Sequence, residues 1–407
     1  MLTNLNITNL GPSKELSFDF GSRLNFLTGD NGLGKSFVLD IVWWALTGAW
    51  PGASRPMRPD DNQTESSKIA WLSASGREVS AQYDAKLSKW DVDKFSKSKN
   101  DGLVVYARMD GGFSIHFSPT DRHWIPRQLS ASEVWEGSRR GGKMQCEGFY
   151  RDVASWLQTD SPQGKMLRRA ALALSPEKES MELIQPKRIY VDDTRLHPLL
   201  KMPYGEVPVA ECSAGMRRIL ALAYILTWAC HEDAERSRLM KSPSTGGVTV
   251  IIDEIEAHLH PLWQRSIISA LLKTIDDLNP GKPHQFHIST HAPLVLASLE
   301  PFYDETKDRL FHFKLDEDQR AVAEEIIWTP HGTSSYWLTS PIFGLVEARS
   351  REAETAIQAA KDFMVGKTEK LPQNLQTKEQ IHEALKSSLP GQDPFWPRWM
   401  VKTGLED

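Results

Sequence analysis

The chain has 407 residues, 40% of them hydrophobic and 25% charged, with a net charge of −5: enough for a substantial core, and too acidic for a protein coated in basic surface. Any nucleic-acid contact would therefore need a local patch. Three scattered cysteines without a CxxC pair exclude a disulfide framework or zinc knuckle. With no leader-like N-terminus and no membrane-length apolar run, a cytoplasmic protein is expected.

Residues 2–20 alternate as a hairpin, with Leu5, Ile7 and Leu10 before a turn at Gly11-Pro12-Ser13 and Leu16, Phe18 and Phe20 after it. Residues 23–28 read as a short strand. The next stretch is Gly29-Asp30-Asn31-Gly32-Leu33-Gly34-Lys35-Ser36, followed by an almost uniformly apolar helix that opens at Phe37. This is the phosphate-loop spacing. Glycines let backbone N–H groups wrap a triphosphate, Lys35 reaches the β- and γ-phosphates, Ser36 offers a hydroxyl to Mg²⁺, and the helix N-terminus faces the anion. ATP and Mg²⁺ are the expected ligands.

Residues 51–65 read as a loop, and Gln63 within it is the candidate for a further Mg²⁺ contact. Strand-like runs at 68–73, 77–83, 103–109 and 112–117 predict an antiparallel β section, with the charged 84–101 segment as a solvated loop. Residues 118–186 change to helical patterns at 150–157 and 164–174 and suggest a helical insertion. Its basic clusters, Arg139-Arg140 with Lys143 and Lys165 with Arg168-Arg169, read as solvated surface or as a nucleic-acid or partner contact.

A strand is expected at 187–191. Ser213-Ala214-Gly215 then leads into a strongly apolar helix, and Val248–Ile252 is a β-branched run suited to a strand buried on both faces. Asp253 and Glu254 follow that strand directly. Asp253 is placed to hold Mg²⁺ with Ser36, and Glu254 to polarise a water against the γ-phosphate. A helix is expected over 261–278. His291 closes the next strand, where an imidazole can reach the γ-phosphate or the attacking water. His258 and His260 with Glu256 give poor zinc geometry. Arg217 and Arg218 read equally as surface charges. Strands at 309–314 and 322–328 would end the core. In the tail, a helix within 345–364, a second opened by a Thr377/Gln380 capping box, and Phe395, Trp396 and Trp399 offer either a docking surface or packing onto the protein's own core.

The order phosphate loop, Ser213-Ala214-Gly215, Asp253-Glu254 and His291 resembles the ABC-type ATPases, especially the branch of RecF, SMC proteins and the overcoming-lysogenization-defect nucleases. Ile252–Pro261 is similar to the extended acidic motif and following loop of the last group, and Ser289-Thr290-His291-Ala292-Pro293 to its switch histidine. The resemblance implies an α/β phosphate-loop head with an antiparallel section, an inserted helical subdomain and a helical tail. The expected divisions are a first core half at 1–120, the insertion at 121–186, a second half at 187–335 and the tail at 336–407.

It also implies that Ser213 and Gly215 complete the ATP site of an opposing subunit, so that ATP holds a homodimer or higher oligomer together. Ala214 and Met216 depart from the usual signature residues. No acidic nuclease pattern follows the core. The chain therefore resembles the ATPase subunits of antiphage systems such as Septu, PARIS and retron-associated ones, which act with a separately encoded effector, often a nuclease. A RecF-like DNA-maintenance ATPase is the alternative; a transporter's ATPase subunit and a self-contained nuclease fit less well.

Overall fold

The computed structural model describes residues 1–52, 67–84, 87, 89–92, 102–117, 126–176, 179–241 and 246–404. They form two units, Met1–Pro330 and His331–Asp407. In the first, β1 (Leu2–Leu10) and β2 (Ser13–Asp19) make the hairpin that their alternation predicts, and β3 (Leu24–Gly29) leads through the glycine-rich turn into α1 (Lys35–Thr47). Next come β4 (Lys68–Ser73), β5 (Glu78–Asp84), β6 (Lys89–Val92), β7 (Leu103–Ala107), β8 (Phe113–His116) and β9 (Arg127–Leu129). The middle of the chain holds α2 (Ala131–Glu136), the hairpin β10 (Ser138–Arg140) and β11 (Lys143–Cys146), α3 (Phe149–Gln158) and α4 (Pro162–Ala173). A small antiparallel sheet of β12 (Glu182–Lys187), β13 (His197–Met202) and β14 (Gly205–Pro208) follows. The long α5 (Ala214–Leu239) precedes β15 (Val248–Ile252), α6 (Pro261–Gln264), α7 (Ile267–Leu278), β16 (His284–Ser289), α8 (Pro293–Ala297), β17 (Arg309–Leu315) and β18 (Ala321–Glu325).

The main sheet runs β18-β17-β3-β16-β15-β7-β8-β9. Its centre, from β17 to β7, is parallel, and the outer strands are antiparallel. Every residue of β7 and β15 is buried, as expected of strands covered on both faces. The second large sheet is antiparallel, β2-β1-β4-β5-β6. Between the two lies α1: Val38, Ile41, Val42 and Trp43 share one core with Leu5 and Phe18 of the antiparallel sheet and with Tyr106, Ile251 and Phe313 of the main one. Burial of this kind contributes roughly 1.5–3 kcal/mol per large side chain, and it clamps the helix that follows the glycine-rich turn. α5 packs on β7 and against α4 and α7.

Four expectations shift: the runs at 103–109 and 112–117, expected in the antiparallel section, form β7 and β8 of the main sheet, β7 pairing in parallel with β15. The 84–101 loop contains β6, because Trp90 packs at an angle against Trp44 and Tyr83, with ring centroids 5.9 and 5.4 Å away, and so extends the sheet. The strand expected at 187–191 lies at 182–187 instead: Leu183 is buried, whereas Val191 is 94% exposed. The 118–186 region is not purely helical, since β9 joins the main sheet and β10–β11 form a hairpin.

The second unit contains α9 (Ser334–Leu338), α10 (Arg351–Met364), α11 (Lys378–Ser388) and α12 (Phe395–Thr403). Ala353, Ala356, Ile357 and Ala360 of α10 pack with Ile381, Leu385, Phe395 and Trp399. The Thr377/Gln380 capping box opens α11. Phe395 and Trp399 thus fill this unit's own core. No described helix is long and apolar enough to cross a membrane.

Candidate functional site: the carboxyl ends of three parallel strands

The turn after β3 is shaped by close backbone approach. At Gly29 φ is 123°, and a Cβ there would sit 2.1 Å from the carbonyl oxygen of Phe313, so only glycine fits. No side chain caps α1, which leaves its first-turn N–H groups directed at whatever occupies the turn. The Lys35 side chain folds back over the loop and donates from Nζ to the carbonyls of Gly29 (2.8 Å) and Asp30 (2.6 Å). Burial pulls its pKa down to about 8, against the opposing pull of Asp30, Glu254, Asp253 and Glu256. Asp30, Asn31, Gly32, Leu33 and Gly34 form the turn itself, and Ser36 and Phe37 stand in the first turn of α1.

Asp253 and Glu254 emerge from β15 beside this loop. Asp253 is buried, and its Oδ1 accepts a 2.6 Å bond from Ser289 Oγ; the same hydroxyl accepts the Glu254 N–H at 2.7 Å. Arg218 Nη2 donates to the carbonyls of Asp253 (2.9 Å) and Glu254 (3.3 Å). These bonds hold Glu254 at φ 50°, a left-handed conformation that costs a non-glycine residue roughly 1–2 kcal/mol. Arg218 is accordingly no idle surface charge. Arg217, its neighbour, is exposed.

His291 follows β16, which lies between β3 and β15. Its backbone N–H donates to Glu256 Oε1, while Glu256 Oε2 is buried without a partner among the described residues. Burial, and then the Lys35 ammonium, lower the His291 pKa, so the imidazole is neutral near pH 7. Behind the site, Tyr106 donates to Asp40 Oδ1 at 2.9 Å, and burial raises the Asp40 pKa to about 6.

Lys35, Asp253, Glu254, Glu256 and His291 therefore share one electrostatic neighbourhood. Ser213 and Gly215 are set apart from it. Ser213 caps α5, its Oγ accepting from Met216 N at 3.3 Å, and is exposed; no described hydrogen bond joins it to the phosphate loop. A Cβ on Gly215 would lie 2.5 Å from the His258 carbonyl oxygen, so glycine lets α5 approach the loop after β15. Gln63 lies outside the described residues.

Among the described residues no group of three or more His, Cys, Asp or Glu converges on a metal position. Mg²⁺ needs fewer, since it keeps several waters and takes one or two protein oxygens plus phosphate. The Ser36 hydroxyl and Asp253 Oδ2, which accepts no hydrogen bond among the described residues, fit that donor chemistry. Asp40 was not singled out from sequence, and Ser289 figured there only as part of the motif around His291.

Residues 4–123 match a family model described as an AAA domain, and residues 201–297 one described as "AAA domain, putative AbiEii toxin, Type IV TA system". Over 100 residues the chain is 33% identical to the retron Vc95 probable ATPase of Vibrio cholerae serotype O1 biovar El Tor, covering 23% of this chain and 17% of that protein. Over 96 residues it is 35% identical to the retron Ec83 probable ATPase of Escherichia coli, covering 23% and 15%. It thus spans about a sixth of the length of the curated relatives it matches. Solved structures similar to it include the SMC head domain from Thermotoga maritima (12% identity, TM-score 0.39, covering 80% of this chain and 99% of that one). Another is the recombination mediator RecF with a bound ATP analogue (12%, TM-score 0.40, covering 80% and 98%). Both halves of the core match models described as AAA domains, and β16 separates the phosphate-loop strand from the acidic one.

Proposed function

We propose that this chain binds ATP with Mg²⁺ and hydrolyses it to ADP and phosphate. One observation carries the reading: Lys35, His291 and Asp253-Glu254 all follow the carboxyl ends of three adjacent parallel strands, β3, β16 and β15. Backbone N–H groups from Gly32 to Phe37 cradle the phosphates, and Lys35 exchanges its bonds to Gly29 and Asp30 for β- and γ-phosphate oxygens. Glu254, fixed by Ser289 and Arg218, orients the attacking water and accepts its proton. The neutral His291 donates a hydrogen bond to the γ-phosphate. Mg²⁺, held by Ser36 and Asp253, would neutralise charge on the phosphate oxygens.

Ser213, exposed at the N-cap of α5, and the half-buried Gly215 stand apart from their own chain's loop and would close the site of a second copy. ATP would then join two heads. The experiment is phosphate release and solution mass, with and without ATP·Mg²⁺, for wild type, Glu254→Gln and Ser213→Arg. Glu254→Gln should bind ATP, release phosphate about 100-fold more slowly and accumulate as a dimer; adding Ser213→Arg should return it to monomer. A mass indifferent to ATP and to Ser213→Arg overturns the composite site, and phosphate release equal in Glu254→Gln overturns the role of Glu254.

The likeness to two retron ATPases supports a place in antiphage defence, with hydrolysis controlling a separately encoded effector such as a nuclease. Phage challenge of cells carrying the chain with its neighbouring genes tests this: Lys35→Ala should abolish protection, and unchanged protection would sink the assignment.

A further inference from the structure

The first unit has a second concavity, distinct from the phosphate loop. It is a pocket of about 400 Å³ between the β7–β8 turn, α2, the start of α5 and the segment after β15, and none of its lining residues belongs to Gly29–Ser36. Its floor is apolar, with Phe113, Leu222 and Ile255 buried and Trp135 at one side. Two guanidiniums line its wall. The Arg217 guanidinium makes no hydrogen bond or ion pair among the described residues; Arg218 spends Nη2 on the Asp253 and Glu254 carbonyls, and its Nε and Nη1 have no described partner. The third arginine there, Arg108, is occupied by Asp110, Ser114 and the Leu129 carbonyl.

A pocket of this size suits a small organic molecule. Its floor selects an apolar, planar body, and unspent arginine donors select a carboxylate, sulfonate or phosphate oxyanion at one end. We propose that this pocket is an effector site for a small aromatic anion. The anion engages Arg217 and the free side of Arg218, and through Arg218 it acts on the backbone that places Glu254. Only that last consequence rests on the proposed hydrolysis; binding stands without it.

The probe is 8-anilinonaphthalene-1-sulfonate, with neutral N-phenyl-1-naphthylamine as its uncharged counterpart, followed by fluorescence on the full chain. The sulfonate should bind saturably at one site per chain, and equally well to Lys35→Ala, in which the phosphate loop is disabled. Ser132→Trp, at an exposed position on the pocket rim, should abolish binding of both probes. Arg217→Ala should weaken the sulfonate about tenfold and leave the neutral probe unchanged. Sulfonate binding that survives Ser132→Trp, or equal loss of both probes in Arg217→Ala, overturns the site. Saturating sulfonate should change wild-type phosphate release by about threefold or more and leave Ser132→Trp unaffected. Full occupancy without any change overturns the coupling. A wild type that releases no phosphate even without probe refutes the hydrolysis reading instead, and the fluorescence arms still decide the site.

Discussion

The two halves of the nucleotide site are built in opposite ways. The phosphate loop is held locally: Lys35 bonds carbonyls five and six residues away. The carboxylates after β15 are held from afar, by Ser289 and Arg218, each at least 35 residues distant, and His291 is tied to Glu256 across a similar gap. A local cradle depends on backbone conformation and survives small changes elsewhere in the fold. The acidic end depends on three elements meeting, so changes outside it can switch it without touching phosphate affinity.

The largest expected effect tests the local half. Lys35→Ala removes charge-assisted bonds of about 1.5–3 kcal/mol each and should weaken ATP binding about 100-fold or more by titration calorimetry. Retained affinity would mean that backbone groups alone carry the phosphates. Next is Ser289→Ala, which strips one buried hydroxyl from both Asp253 and Glu254. It should slow phosphate release by about 10–100-fold with ATP affinity nearly unchanged, and cost roughly 1–3 kcal/mol in urea unfolding. If affinity fell as much as rate, the separation between the halves would be lost.

A smaller effect follows from Lys35 titrating at about 8. Bound phosphates favour its charged form, so ATP binding above pH 8 must take up a proton. Affinity should be flat below pH 8 and fall by up to about tenfold per unit above it. The smallest concerns Asp40, whose pKa of about 6 lies above the ordinary carboxyl value of 3.8. Between these values the unfolded chain loses its proton first, so stability present at low pH is lost as pH rises through 6. Asp40→Asn keeps an acceptor for Tyr106 and should stabilise by roughly 1–2 kcal/mol at pH 7, with no gain at pH 4; equal unfolding curves at pH 7 would remove the charge from the account.

The same contrast explains what could be read before the fold was known. Glycine spacing and the apolar Val248–Ile252 run advertise their own conformations, because the forces that shape them act over a few residues. Arg218 looked like a surface charge because nothing near it in sequence shows that Asp253 and Glu254 present carbonyls to it. Asp40 hid for the same reason: only the fold places α1 over Tyr106. β6 was missed because its partner aromatics, Trp44 and Tyr83, come from another helix and strand. Ile189 and Val191 misled in the other direction, being apolar and solvated at once.

The position of β3 also bears on how the chain is made. Its two neighbours in the sheet, β16 and β17, are both encoded far downstream. At about 5–20 residues per second, a growing chain would carry this apolar strand without either partner for on the order of tens of seconds. Parallel pairing across such separations is also slow once the partners exist. The ribosome therefore carries, for a time, a nascent chain whose phosphate loop has been translated but has no sheet to stand on, and this is the stretch of synthesis in which chaperone protection would matter most.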